Sequence, residues 1–151
     1  RLRAARPEIV FSSDFIVGFP NESDADHEAT LRLVRDVGFA SAFSFKYSRR
    51  PGTPASTIPN QIDEELQDAR LQELQTLLRD QQLAFNQSMI GKTLPVLFEN
   101  VMKGGAQLFG RTPYMQAMHI EAPERLVGQE VDVTITDAGL TSLSGKVFIP
   151  S

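Results

Sequence analysis

The sequence predicts an α/β segment followed by a small all-β barrel. An apolar, β-branched run from Ile9 to Phe19 is typical of a strand buried on both faces of a parallel sheet, and a helix and a second strand follow it. After Gly91 the pattern changes to short β runs separated by glycine-rich turns, which favours a compact five-stranded barrel resembling the OB-fold. We therefore expect one domain over residues 1–89 and a second over residues 90–151.

The first helix is predicted from its two ends. Ser23 provides a hydroxyl N-cap with the carboxylate of Asp26 three residues later, and apolar residues at helical spacing continue to Gly38. The run from Ala42 to Tyr47 then predicts a second strand, which completes a β-α-β unit. Because two strands cannot close a barrel, this part is predicted to belong to a larger parallel barrel, with both post-strand loops on one face.

A long connecting helix is predicted over residues 60–87. Asp63, Glu64 and Glu65 lie in its first turn, where carboxylates favour the helix dipole, and its glutamine-rich face is expected to be solvated. The barrel strands are predicted at Thr93 to Glu99, Gln107 to Arg111, Met115 to Ile120, Glu130 to Thr136 and Leu143 to Ile149.

Composition limits the chemistry. The 151 residues carry a net charge of -4, so binding to nucleic acid would need a local basic patch. The absence of cysteine excludes disulfides and iron–sulfur ligation by this chain. No apolar run reaches the roughly 18 residues that cross a bilayer, and we expect a cytoplasmic protein. The chain starts at Arg1 and not at methionine, which favours a segment that begins inside a larger protein.

The first candidate site lies at the end of the first predicted strand and in its connection to the helix. Asp14 is a carboxylate in an apolar strand, Gly18 permits close backbone approach, and Glu22 could accept hydrogen bonds from a ribose or an amine. The alternative interpretation is a turn with a capping box and no ligand.

The second candidate site is the loop after the second strand, which would emerge on the same barrel face. Tyr47, Arg49 and Arg50 precede a proline-restricted turn, and the two guanidinium groups could pair with phosphate or carboxylate. The alternative is that both arginines are simply solvated.

The third candidate is an RNA-binding surface on the barrel. Its predicted contacts are Lys92, Lys103, Arg111, Tyr114 and Lys146, with Phe109 and His119 as neighbouring rings that could stack on bases. The alternative is a stabilising appendage or a protein-interaction module. The two histidines, His27 and His119, are too isolated in sequence to predict a metal site.

Two motifs together resemble the tRNA methylthiotransferase family of the radical-SAM superfamily. The motifs are the run from Ser12 to Pro20 and the run from Phe43 to Ala55, which ends in Arg-Pro-Gly-Thr-Pro-Ala. Phe109-Gly110-Arg111-Thr112 and the run from Ser142 to Val147 are similar to that family's TRAM domain. The closest likeness is to the branch that modifies isopentenyladenosine beside the tRNA anticodon.

The resemblance implies a partial radical-SAM (β/α) barrel followed by a TRAM barrel. It implies S-adenosylmethionine as cofactor and two [4Fe–4S] clusters in the full-length parent, neither held by this chain. The implied reaction is radical abstraction of a hydrogen from the adenine, sulfur insertion and methyl transfer. The residues implied to line or flank the S-adenosylmethionine pocket are Asp14, Gly18, Glu22, Ser44, Tyr47, Arg49 and Arg50.

The sequence departs from the family pattern at two positions, with Asn21 in place of glycine and Ser23 in place of threonine. Asparagine tolerates positive φ and serine retains the hydroxyl cap, so we expect the turn to survive.

Two other functions remain open. A family member that modifies a ribosomal protein would have a similar barrel segment, although the Arg-Pro-Gly-Thr-Pro loop disfavours it. A non-catalytic RNA-binding adaptor would fit the absence of cysteine. The expected partners are the tRNA anticodon stem-loop, the parent's missing N-terminal domains and a second copy through exposed strand edges. Alone, the segment is expected to be inactive.

Overall fold

The structure is a computed structural model that describes residues 1–150. The chain divides into two compact units, Arg1–Gln81 and Gln82–Ser151. The first is α/β and the second is a closed β-barrel, which confirms the predicted fold class. No helix within the described residues combines the length and apolar character needed to cross a bilayer.

The first unit contains the predicted strand-helix-strand arrangement. Its elements are α1 (Leu2–Ala5), β1 (Ser12–Val17), α2 (Asp24–Val37), β2 (Ser41–Lys46), a 3-10 helix (Pro54–Thr57) and most of α3 (Glu64–Gln87). The two strands pair in parallel, with Ser12 opposite Ser41 and Val17 opposite Lys46. The loops that follow β1 and β2 therefore leave the sheet from the same edge, as predicted.

The predicted cap of α2 is confirmed. The Ser23 hydroxyl accepts a hydrogen bond from the Asp26 amide at 3.1 Å, and the Asp26 carboxylate accepts one from the Ser23 amide at 3.0 Å. Gly38 ends the helix with a φ of 66°. Asn21 has a φ of 70°, so the asparagine adopts the left-handed conformation that the turn requires.

The prediction that β1 is buried on both faces is wrong for the described chain. Phe15 and Val17 pack against helix residues, but the alternating Ile16 is 60% exposed, and Phe43 and Phe45 of β2 are 69% and 55% exposed. One helical layer covers one face of the sheet, and side chains alternate between faces along a strand. Asp14 lies on the open face, so its carboxylate meets no desolvation cost of the kind expected from the sequence.

The prediction that the glutamine-rich face of α3 is solvated is correct for Gln72, Gln75 and Gln87, which are exposed, and wrong for Gln67 and Gln81. Gln67 is buried, and Gln81 donates to Val34 O at 2.8 Å and accepts from Phe39 N at 3.1 Å. A glutamine amide both donates and accepts, which lets it satisfy backbone groups left over where α2 ends.

The second unit is a closed barrel with the strand order β3-β4-β5-β7-β6. The strands are β3 (Thr93–Val101), β4 (Leu108–Arg111), β5 (Ala117–Ile120), β6 (Glu130–Ala138) and β7 (Leu143–Val147), with a 3-10 helix (Glu124–Leu126) before β6. β5 and β7 pair in parallel, and the other pairs are antiparallel. Five strands in a closed barrel confirm the OB-like prediction.

Two glycines permit the close packing of this small barrel. A Cβ at Gly110 would lie 2.7 Å from Val96 Cγ1, and one at Gly145 would overlap the carbonyl oxygen of Thr134. Both positions therefore require the absence of a side chain where strands approach closely. The enclosed core includes Phe98, Met118, Ile120, Ile135 and Leu143.

Candidate functional site

A pocket lies at the sheet edge where β1 and β2 end. It has a volume of about 680 Å³, within the range of small-molecule sites, and its lining includes Ile16, Phe45, Tyr47, Ser48, Arg50 and Thr53. Ile16 and Phe45 are register partners on the open face of the sheet, so they supply an apolar floor. The hydroxyl groups of Ser48 and Thr53 and the guanidinium of Arg50 provide a polar rim. This combination suits a ligand with a flat apolar part and a charged end.

Tyr47 connects the pocket to the end of β1. Its amide donates to Val17 O at 2.8 Å, and its ring packs edge-to-face on Phe19 with the centroids 5.3 Å apart. Its hydroxyl is buried and finds no hydrogen-bond partner within residues 1–150. A buried hydroxyl without a partner carries a free-energy cost.

The two predicted arginines have different environments. Arg49 Nε donates to Ser56 O at 2.9 Å, which ties this guanidinium to the following 3-10 helix. Arg50 is exposed and lines the pocket, and the Thr53 hydroxyl donates to Arg50 O at 2.7 Å to close the turn. Of the pair, Arg50 is therefore the guanidinium available to an anion in the pocket.

Glu22 is engaged by the protein itself. Its Oε1 accepts hydrogen bonds from Gly18 N at 3.1 Å and from Arg70 Nη1 at 2.8 Å, while Arg70 Nη2 donates to Asp24 Oδ1 at 2.8 Å. The Arg70 and Glu22 side chains are 5% and 10% exposed. The Glu22 carboxylate thus anchors the loop after β1, and ligand binding by its Oε1 would compete with this buried ion pair.

Gln67 joins the ends of the two strands. Its Nε2 donates to Gly18 O at 3.0 Å and to Tyr47 O at 3.3 Å. Gly18 has a φ of 71°, and a Cβ there would overlap the Gln67 side chain. The glycine therefore serves close packing of the protein against itself at this point.

Sequence reasoning missed Gln67 and Arg70. Both lie on α3 at the spacing of buried Leu74 and Leu78, so they occupy the face of the helix that packs inward. The signal that could have found them is a polar residue at an apolar helical position, since such a residue needs a buried partner.

Two further predicted residues lie away from the pocket lining. Asp14 pairs in register with Phe43 on the open face of the sheet, two residues before Ile16. Ser44 is opposite Phe15, on the helix-covered face. The structure brings Tyr47 and Arg50 together at the pocket and links Gly18 to Tyr47 through Gln67. Glu22 is bonded to Gly18, and Asp14 and Ser44 lie on opposite faces of the sheet.

The predicted basic residues of the barrel are dispersed. Lys92 precedes β3 and Lys103 follows it, so about 26 Å of extended strand separates them. Tyr114 packs edge-to-face on Phe85 with the centroids 5.6 Å apart, which places its ring against the barrel core.

Arg111 lies in a different setting, on the outside of β4. Its guanidinium is over the Phe109 ring at 5.3 Å from the centroid, and its Nε is 3.4 Å from Glu99 Oε1. Phe109 also contacts His119 of β5, with ring centroids 6.0 Å apart. Arg111, Phe109 and His119 thus form a continuous surface row.

Within residues 1–150 no three His, Cys, Asp or Glu side chains group together as metal ligands would. His27 is buried in α2 with its Nε2 3.4 Å from Glu73 Oε2, and its Nδ1 has no hydrogen-bond partner among the described residues.

Comparison with known proteins gives two findings. Residues 87–148 match the model of the TRAM domain. Over nearly its whole length the chain is similar to three proteins named tRNA-2-methylthio-N(6)-dimethylallyladenosine synthase. The identities are 60% with that of Maricaulis maris, over 97% of this chain, 52% with that of Sphingopyxis alaskensis, over 97%, and 53% with that of Rickettsia rickettsii, over 98%. The chain spans 32%, 33% and 34% of these relatives, about a third of their length.

Proposed function

This chain belongs to the tRNA methylthiotransferase family, and from that premise we propose that it is part of an enzyme that adds a methylthio group to isopentenyladenosine next to the anticodon. The observation that carries the proposal is the 60% identity over 97% of the chain to a synthase of that name. The parallel β1–β2 pair with a pocket at its carboxyl edge supports it, because ligands of α/β barrels bind at that edge.

The pocket after β1 and β2 fits S-adenosylmethionine. Ile16 and Phe45 suit the adenine ring, Arg50 suits the carboxylate, and the Tyr47 side chain adds to the pocket lining. S-adenosylmethionine, when bound, would supply the radical and the methyl group in the parent. The chain has no cysteine, so ligands for the two proposed [4Fe–4S] clusters would come from elsewhere in the parent.

The protein groups around this pocket have distinct roles in the proposal. Arg50 binds the cofactor directly and Tyr47 lines its pocket, while Gly18 and Glu22 hold the loop after β1 in place through Gln67 and Arg70. Asp14, on the open face of β1, would face the interior of the completed barrel. Ser44 and Arg49 remain proposed neighbours that shape the second strand and its loop.

The TRAM barrel would bind the tRNA anticodon stem-loop, and the border between this domain and the catalytic barrel is proposed near residues 89–90.

We place the parent in the cytoplasm, and we expect the segment alone to be inactive because it would hold only part of the catalytic barrel. In that part, each strand of the two-stranded sheet has an edge without a strand neighbour among the described residues, which would also permit self-association.

The function is tested by deleting the parent gene and measuring tRNA nucleosides by mass spectrometry. Loss of the methylthio form of isopentenyladenosine is expected, and its persistence would refute the proposal. A lost methylthio mass on a ribosomal protein in the same strain would instead favour a protein substrate.

The cofactor contacts are tested by complementing the deletion with full-length variants. Arg50→Ala should restore little modification, because it removes the guanidinium of the pocket. Arg32→Ala is the matched control, since Arg32 is an exposed arginine on α2. Equal restoration by both variants would contradict the role of Arg50. S-adenosylmethionine binding by calorimetry gives the same comparison without turnover.

A further inference from the structure

Among the five barrel strands, carboxylates occur on β3 and β6 alone. The neighbouring strands β4, β5 and β7 contain Arg111 and Lys146 but no carboxylate. The six carboxylates of residues 87–148 lie on β3, on β6 and in the connection before β6: Glu99, Glu121, Glu124, Glu130, Asp132 and Asp137. The three strands without carboxylates form one face of the barrel, which we name the β4–β5–β7 face. Arg111 on this face is ion-paired with Glu99 of β3, and Lys146 carries its other positive charge.

Strand register aligns aromatic and polar side chains across this face. Phe109 is opposite His119, and His119 is opposite Ser144. Their chain neighbours Leu108, Met118 and Leu143 are buried in the core, so alternation directs the three outward. Lys146, two residues after Ser144, is exposed on the same side of β7.

Phe109 lies at the centre of this row. Arg111 is over its ring at 5.3 Å from the centroid and His119 is beside it at 6.0 Å. The cation and the imidazole restrict the motion of the ring and leave it half-buried on the surface. A fixed aromatic ring flanked by a guanidinium, with hydroxyl and ammonium groups on the next strand, is the set of groups that proteins use on unpaired RNA bases.

We propose that Phe109 is a stacking platform for one unpaired RNA base, flanked by Arg111 and His119, with Lys146 contacting a backbone phosphate. This inference rests on the proposed function, because it takes RNA as the barrel's partner. The base must be unpaired, since the rings of a duplex are already stacked on each other. Tyr114 does not contribute, because its ring is packed on Phe85.

The first test is binding of a fluorescein-labelled RNA hairpin with an adenosine-rich loop to the full chain. Phe109→Leu removes the ring and should weaken binding about 5- to 150-fold, the effect of one lost base stack, while Phe109→Tyr should retain it. The matched control is Phe43→Leu, because Phe43 is 69% exposed and lies on β2, outside the barrel. A blunt duplex of the same stem should bind both leucine variants equally.

The second test measures direct contact between the RNA and the side chain at position 109 by tryptophan fluorescence. The chain has no tryptophan, so Phe109→Trp introduces a single tryptophan at the proposed platform, which can be excited selectively over the two tyrosines. Addition of the hairpin should quench its emission, whereas Phe43→Trp, on β2 outside the barrel, should show little change. Quenching that is equal at the two positions would overturn the assignment of the platform.

The third test concerns the phosphate contact. Lys146→Ala should lower the slope of log affinity against log salt by about 0.7, the value for one phosphate contact on a single strand. Arg125→Ala is the charge-matched control, since Arg125 is exposed beside Glu124 on the 3-10 helix before β6. If Lys103→Ala changes the slope and Lys146→Ala does not, the RNA passes over the turn between β3 and β4, and the proposed face is wrong.

The outcomes separate this inference from the function it rests on. If the wild-type chain binds the hairpin and Phe109→Leu binds it equally well, the platform is refuted and an RNA-binding barrel is retained. If the wild-type chain binds neither RNA at low salt, the RNA-binding role of the barrel fails together with the platform.

Discussion

Replacement of Arg70 by methionine tests whether a buried ion pair holds the loop after β1. The substitution keeps the apolar stem and removes the guanidinium, leaving the 10% exposed Glu22 carboxylate with only the Gly18 amide as its donor. Removing one partner of a buried pair costs about 3–5 kcal/mol, because the remaining charge stays desolvated. We expect the free energy of unfolding of this unit to fall by that amount.

The double variant Arg70→Met/Glu22→Gln isolates the charge. The neutral amide can still accept the hydrogen bond from Gly18, so the part of the lost stability that comes from the unpaired charge should return. The hydrogen bond from Arg70 Nη1 to Glu22 O, 3.0 Å long, stays lost in both variants. Asp24→Asn is the surface control. It should change stability little, because the Asp24 side chain is 96% exposed although it contacts the same arginine.

The assay is urea unfolding followed by circular dichroism, with hydrogen exchange of peptides from β1 and β2 to localise the effect. The exchange protection of β1 should decrease in Arg70→Met and recover in the double variant. A loss of less than about 1 kcal/mol in the single variant, or a double variant no more stable than the single one, would refute the anchoring role of the pair.

Two further predictions concern the same unit. Gly18→Ala should destabilise this unit more than Gly52→Ala. Both glycines have positive φ, but only at Gly18 would the new Cβ meet another side chain, that of Gln67. Equal unfolding midpoints of the two variants would contradict the close approach of Gly18 and Gln67. Hydrogen bonds from the Ser23 amide and hydroxyl lower the pKa of the Asp26 carboxyl in the folded protein. The ionised Asp26 therefore stabilises the fold at pH values above its pKa in the unfolded chain, and this stabilisation is lost as pH falls through the lower pKa of the folded protein. A carboxyl NMR titration should show a depressed midpoint that moves partly back in Ser23→Ala, and an unchanged midpoint there would rule out the hydroxyl's part.

The sequence by itself determined the secondary structure and the fold class. Ser23, Asp26 and Gly38 mark the ends of α2 through hydrogen bonds to groups within four residues, and such signals need no distant partner. The alternation of apolar residues after Gly91 predicted five barrel strands for the same reason. The family motifs likewise lie in continuous runs of the chain.

Only the tertiary structure decided which side chains meet. Glu22 and Arg70 are separated by 48 positions, and their pairing depends on how α3 packs against the sheet. The row of Phe109 and His119 depends on the register between β4 and β5, and the exposure of Asp14 depends on which sheet face the helices cover. Contacts of this kind form when distant segments dock, and no local pattern of hydrogen bonds or hydrophobicity encodes the angle and register at which they do so.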